Sequence, residues 1–206
     1  MGTRERRARE KARRRRDILE AARALFWAKG FDGTTMPEIA EAAELAAGTL
    51  YLYFPGKQAL YAELLIEGYD LLLERLEAAL AADAPPRQQA ATLIDVFTAF
   101  ARQFPEYFDI IFFIVQREGH AVAALDLPAQ QHERLAARQD ACKRVAARVL
   151  ERAGVGTAST PLELTVDAVW SMLAGVALYF RRDQAEAFAA VAERAKQLIL
   201  HSLFEG

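Results

Sequence analysis

Residues 47–57 hold the side chains in this chain best suited to chemistry, and the chemistry is recognition. Ala47 and Gly48 are small, and small residues at the start of a helix let it approach another surface closely. Thr49 and Tyr51 combine hydroxyls with apolar surface, which suits phosphate oxygens and thymine methyls alike. Lys57 opens the next helix, where an ammonium beside unpaired backbone N–H groups forms a phosphate clamp.

The elements around these residues are legible from caps and breakers. Thr35-Met36-Pro37-Glu38 reads as a capping box with proline in the first turn. It predicts a short helix to about Ala43. Glu44-Leu45 leaves room only for a tight turn. A second short helix then covers Ala47 to about Tyr53, and Phe54-Pro55-Gly56 breaks it. Ala40 is small where the two helices cross. Ile39, Ala43, Leu45, Leu50 and Tyr53 supply inner contacts. Two short helices around a tight turn are the minimum of a helix-turn-helix, whose second helix enters the major groove of DNA. The alternative is a small helical hairpin that only packs.

The stretch Phe31 to Leu60 resembles the DNA-binding domain of tetracycline-repressor-type (TetR family) transcription regulators. Thr34, Thr35, Ile39, Ala40, Ala43, Gly48, Thr49, Leu50, Tyr51, Tyr53, Phe54, Lys57 and Leu60 carry the likeness. The resemblance implies an all-α protein. An N-terminal three-helix helix-turn-helix domain would precede a C-terminal helical bundle for ligand binding and dimerisation. It implies a DNA-facing set of Thr35, Ala46, Ala47, Gly48, Thr49, Tyr51, Tyr53 and Lys57. Its partners would be double-stranded operator DNA, a small-molecule ligand and a second copy of the chain, and the activity would be ligand-released repression. Two positions depart from the family. Glu44 stands where glycine is usual, and Ala46 where a serine often caps the recognition helix. They motivate a second reading, a helical interaction protein that keeps the fold without specific operator binding.

Charge supports a polyanion partner for the start of the chain. The net charge of −2 divides into +4 over residues 1–58 (twelve Lys/Arg, eight Asp/Glu) and −6 over the rest (fourteen against twenty). Residues 1–16 alone hold nine basic and two acidic side chains. The expectation is a basic arm frayed at its start, with a first helix over about Ile18 to Lys29. Arg13, Arg14, Arg15 and Arg16 would track phosphates or enter the minor groove; a solubilising tail is the alternative. The domains are then 1–58 for DNA and 59–206 for ligand and dimer.

Beyond Ala84-Pro85-Pro86 the pattern is helical to the end. Phe97, Phe100, Phe104, Phe108, Phe112 and Trp170 either line a cavity or form an ordinary core, and the resemblance favours some cavity. Gln116 and Asp167 are polar candidates beside it, and the ligand expected is largely apolar. The helix from about Pro161 to Phe180 is apolar nearly all round, which calls for burial all round. With the last helix it fits a four-helix dimer seam of Val169, Leu173, Val176, Phe180, Phe188, Val191, Ala195, Leu198 and Ser202. The alternative is burial within one chain.

Enzyme chemistry finds little support. There is no phosphate-cradling glycine loop, and His120, His132 and His201 lack metal-ligand spacing, so neither cofactor nor metal is expected. Cys142, the sole cysteine, excludes a disulfide framework. Beside Lys143 and Arg144 it is either a packing residue or a thiol of lowered pKa. The longest unbroken apolar run is Ile110 to Val115, so no membrane span is expected. A cytoplasmic protein follows from these readings.

Overall fold

The structure, a computed structural model, describes residues 3–80, 83–112, 127–156, 161–180 and 185–205. Among them are nine helices and no strand: α1 Thr3–Lys29, α2 Met36–Ala42, α3 Ala47–Tyr51, α4 Lys57–Ala79, α5 Pro86–Gln103, α6 Pro105–Phe112, α7 Ala129–Arg152, α8 Leu162–Phe180 and α9 Ala185–Phe204. The described residues are all-α, as the resemblance implies. Two compact units emerge, Met1–Gly68 with Glu106–Leu135, and Tyr69–Pro105 with Ala136–Gly206. The division differs from a linear cut at residue 58. α4 runs without interruption through that point, and α6 joins the first unit.

The first unit has a continuous apolar core. Ile18, Leu19, Ala22 and Phe26 of α1 are buried against Ile39 and Ala40 of α2, Leu50 of α3, and Leu60, Tyr61 and Leu64 of α4. The rings of Phe26, Phe31 and Tyr61 meet pairwise at centroid distances of 5.2–5.6 Å. Burying one such side chain contributes about 1.5–3 kcal/mol before entropy costs. α6 is fastened to α1 and α4 by polar groups. Trp27 Nε1 donates to Asp109 at 3.0 Å, Arg23 donates to the Tyr107 hydroxyl at 2.8 Å, and that hydroxyl donates to Glu67 at 3.2 Å. The buried Tyr61 hydroxyl donates to the Ile110 carbonyl. Gly68 permits this approach, since a Cβ there would lie 3.0 Å from Ile111 Cδ1.

In the second unit α5, α8 and α9 pack together. α7 adds Cys142, Val145, Val149 and Leu150, and the later turns of α4 add Leu72 and Leu76, all buried. α8 bears on two expectations. It is long and apolar enough to cross a membrane, with a mean hydropathy of 1.3 over 18 residues. Counting unbroken apolar runs misses it because Thr165, Asp167 and Ser171 interrupt the run. Nor is it buried all round: Leu164, Met172, Leu178 and Tyr179 are exposed.

The turn between α2 and α3 explains a rule broken in the sequence. Leu45 N–H donates to the Ala40 carbonyl at 2.8 Å and Glu44 N–H to the Glu41 carbonyl at 3.0 Å. These are the two bonds of a Schellman motif, which needs a left-handed residue between helix and exit. Glu44 fills that place with φ +55°, the one positive φ at a non-glycine among the described residues. A side chain in this conformation costs about 1–2 kcal/mol, and glycine recovers most of it. Glu44→Gly is expected to stabilise the protein by about 1 kcal/mol. The check is the urea midpoint followed by circular dichroism; an unchanged or lower midpoint contradicts the strain.

Candidate nucleic-acid interface and apolar cavity

α3 has only five residues, and one of them anchors it. Leu50 is wholly buried, and Phe54 just beyond the helix is 2% exposed. Their burial turns the opposite side outward: Ala46, Ala47 and Gly48 are exposed, Thr49 is half-buried and Tyr51 is 51% exposed. Ala46 is the N-cap with extended backbone and makes no side-chain cap bond, as its lack of a hydroxyl dictates. Gly48 is informative. Its φ is not positive, and an added Cβ would meet nothing within 4 Å. The fold itself does not require glycine there. Tyr53, expected inside, is only half-buried, because α3 stops at Tyr51. Sequence reasoning missed Leu52, which is 83% exposed beside Tyr51. The signal was an apolar residue out of phase with Leu50 and Phe54.

Three other members of the expected DNA-binding set are engaged within the protein. Thr35 closes the capping box of α2: its hydroxyl accepts from Glu38 N–H at 3.4 Å and donates to the Glu38 carboxylate at 2.8 Å. Lys29 donates to the same carboxylate at 2.7 Å. That ammonium first, and the Thr35 bonds second, hold Glu38 down at about 2. Lys57 donates to the Phe31 carbonyl at 2.7 Å and lies 4.4 Å from the centre of the Phe31 ring. It ties α4 to the α1–α2 turn. Two of its three N–H donors remain for a further partner. Arg15 pairs at 2.8 Å with Glu63, a buried carboxylate that also takes Arg134, and stacks 4.7 Å over Phe54. It is a structural residue rather than a phosphate tracker.

The basic arm is helical. α1 begins at Thr3, and Arg4 to Arg13 are all exposed along it. Arg14 pairs with Glu10 at 3.4 Å, one turn back, and Arg16 is exposed. Entry into the minor groove does not suit this form, because a helix is about 10–12 Å across and that groove about 6 Å wide. Arg13 and Arg16 remain available to phosphates.

The second unit encloses an apolar cavity of about 60 Å³. Phe97 and Trp170 line it, edge to face at 5.0 Å, with Leu93, Val149, Val166 and Leu173 among their neighbours. The other aromatic candidates do not. Phe100 and Phe104 pair with each other, Phe104 under the Arg75 guanidinium, while Phe108 and Phe112 pair at 4.6 Å in the first unit. Asp167 is exposed and bound to Lys143 at 2.6 Å; Gln116 and His120 lie outside the described residues. Cys142 lines the cavity with its thiol fully buried, and burial pushes it up to about 12, the opposite of an activated thiol.

The expected dimer seam needs revision for the same reason. Leu173, Phe188 and Ala195 are buried in their own chain, and Val169 lines the cavity. Val176, Phe180 and Val191 are half-buried; Leu198 and Ser202 are exposed. The apolar residues α8 leaves open lie on another stripe, Leu164, Ala168, Met172, Gly175, Leu178 and Tyr179. Gly175 in its middle is half-buried and has nothing within 4 Å of an added Cβ.

Residues 18–64 match the model of the bacterial regulatory proteins of the tetR family. YfiR of Bacillus subtilis (strain 168), a helix-turn-helix-type transcriptional regulator, is 36% identical over 67 residues, 32% of this chain and 33% of YfiR. The chain thus matches about a third of that relative's length. Solved structures share the fold over most of the chain. The TetR-family regulator PfmR of Thermus thermophilus superposes with a TM-score of 0.71 at 24% identity, over 89% of this chain and 97% of PfmR. The transcriptional regulator FadR of Bacillus subtilis, solved with stearoyl-CoA, has a TM-score of 0.71 at 16% identity, over 89% and 96%.

Gly48 separates folding from recognition. Gly48→Ala is expected to stabilise the protein by about 0.5–1 kcal/mol, since it places alanine in a helix with room to spare. The same methyl is expected to weaken DNA binding in a shift assay. A variant that is more stable and binds DNA equally well would remove Gly48 from the interface.

Proposed function

We propose that the chain, whose residues 18–64 match the tetR family of bacterial regulatory proteins, is a dimeric DNA-binding regulator of transcription, a repressor released from its operator by a small, largely apolar molecule. The observation that carries the DNA reading is the outward face of α3. Leu50 and Phe54 fix its orientation, Thr49 and Tyr51 supply hydroxyls and ring surface, and Gly48 is a glycine for which the fold has no use. In the major groove, Tyr51 meets base edges and Thr49 meets phosphate or a thymine methyl. Thr35 and Lys57 hold the platform, with the remaining Lys57 donors and the first N–H groups of α4 on a phosphate.

The open stripe on α8 supports a two-fold partner. Leu164, Met172, Leu178 and Tyr179 are large and exposed, while Ala168 and Gly175 permit close helix approach. A second copy covers this surface with its own identical stripe. Two-fold symmetry then presents two α3 helices to one DNA face, at about 34 Å or a multiple of it. Such a seam also accounts for the apolar character of α8 without a membrane, in a protein working in the cytoplasm.

Release follows from the path of α4. Its first turns belong to the unit that carries α3, and its later residue Leu76 lines the cavity. A ligand that prefers one packing around Leu76 biases the position of the whole helix. It does so only by its differential affinity for the two arrangements.

A second reading draws on Glu44, whose carboxylate sits in the turn before α3. It gives a chain that keeps the fold without operator binding. A salt-titrated shift assay on the chain's own upstream DNA and on random DNA separates the two. Tyr51→Ala is expected to cost about 1–3 kcal/mol on the specific site and to change sequence preference. Equal weakening on all sequences would make Tyr51 a phosphate contact. Failure of the unaltered chain to prefer any sequence would favour the second reading.

A further inference from the structure

The cavity of the second unit adjoins a polar groove of about 400 Å³. The two share the side chain of Val149. They also run side by side along two helices: Leu76 lines the cavity and Glu77 the groove, and Ala90 lines the cavity and Gln89 the groove. The cavity lining holds no charged side chain. The groove holds Arg148 and Arg152, one turn apart on α7, against a single carboxylate, Glu77. Two guanidinium groups and one carboxylate leave it cationic.

The arginines are placed as a receptor would place them. Arg152 donates to Oε1 of Gln89 at 3.1 Å, and Gln89 is only 4% exposed, so a buried amide aims the guanidinium. Neither Arg152 nor Arg148 has a carboxylate within ion-pair distance among the described residues, whereas Arg15, Arg134 and Arg138 each do. An arginine held by a neutral group keeps its charge and its planar fork for a carboxylate or phosphate. The size of the cavity limits what accompanies that anion. An apolar cavity that accepts benzene measures about 150 Å³, so about 60 Å³ admits the thin end of a hydrocarbon chain rather than a ring system.

We propose that cavity and groove are one amphipathic site, which takes the hydrocarbon tail of an anionic ligand between Phe97 and Trp170 and its carboxylate or phosphate head on Arg148 and Arg152. The proposal rests on the reading of the chain as a ligand-responsive regulator and specifies the ligand's chemistry. A straight-chain acid or alkyl phosphate satisfies both halves of the site. A neutral alcohol of the same length satisfies only the tail.

Calorimetric titration of the full chain with decanoate, decyl phosphate and decanol tests this, the anions kept below their micellar concentrations and decanol below its solubility limit. At least one anion is expected to bind ten-fold or more tightly than decanol, and the tighter anion identifies the head group. In the Arg148→Gln/Arg152→Gln double variant the anions are expected to fall to the affinity of decanol, with decanol unchanged. Ala146→Phe, which fills the cavity, is expected to weaken all three. Equal affinities for anion and alcohol, anion preference surviving in the double variant, or no binding by any of the three would overturn the proposal. A shift assay with upstream DNA keeps the two levels apart. Anion preference with no effect on DNA supports the site and counts against ligand-released repression. DNA release by decanol and decanoate at equal affinity does the reverse.

Discussion

A helix of five residues cannot sustain itself in water, because its nucleus costs more than its few hydrogen bonds return. α3 therefore exists by virtue of Leu50, buried completely in the core of the first unit, with Phe54 close behind. That one anchor also sets direction. With Leu50 inward, Gly48 and Tyr51 must face outward, and no other assignment of faces is open to so short an element. Every functional statement about the N-terminal part descends from this constraint.

The rest of the first unit keeps the anchor in register. Thr35 and Glu38 fix where α2 starts, and the turn at Glu44 fixes how it ends. Lys57 closes the far side by binding the Phe31 carbonyl. The network of Trp27, Asp109, Arg23, Tyr107 and Glu67 draws α6 onto the same scaffold. Within it, burial raises the Glu67 carboxyl above its ordinary range against the pull of Tyr107 and two arginines. These are polar groups in a partly apolar setting, so losing one partner leaves another unsatisfied at a cost of about 1–3 kcal/mol.

Local rules carried the sequence reading furthest. The capping box at Thr35 and the tight turn at Glu44-Leu45 are decided within a few residues, and the structure places them as read. The family likeness was legible for the same reason, since it sits in one contiguous stretch. What escaped was tertiary. Lys57 looked free because its partner carbonyl lies 26 positions away. Arg15 looked like part of a charge run because Glu63 is buried on another helix. The row of phenylalanines left cavity and ordinary core both open, and it divides between the two units. The face that α8 leaves open was not legible, because a helix apolar nearly all round gives periodicity no grip. The helical state of the arm was missed because a run of arginines carries no apolar period, though arginine itself favours helix.

The two units thus divide labour along the chain, and α4 contributes residues to both. One presents a short helix oriented by a buried leucine, and the other holds an apolar cavity with an open stripe on α8. The account turns on two such helices engaging one face of DNA. Hydroxyl-radical footprinting of the full chain on its own upstream DNA tests that most directly. It should show two protected patches on one face of the duplex, separated by one helical turn or a whole multiple of it. A single patch, or uniform cleavage at low salt, would contradict the account.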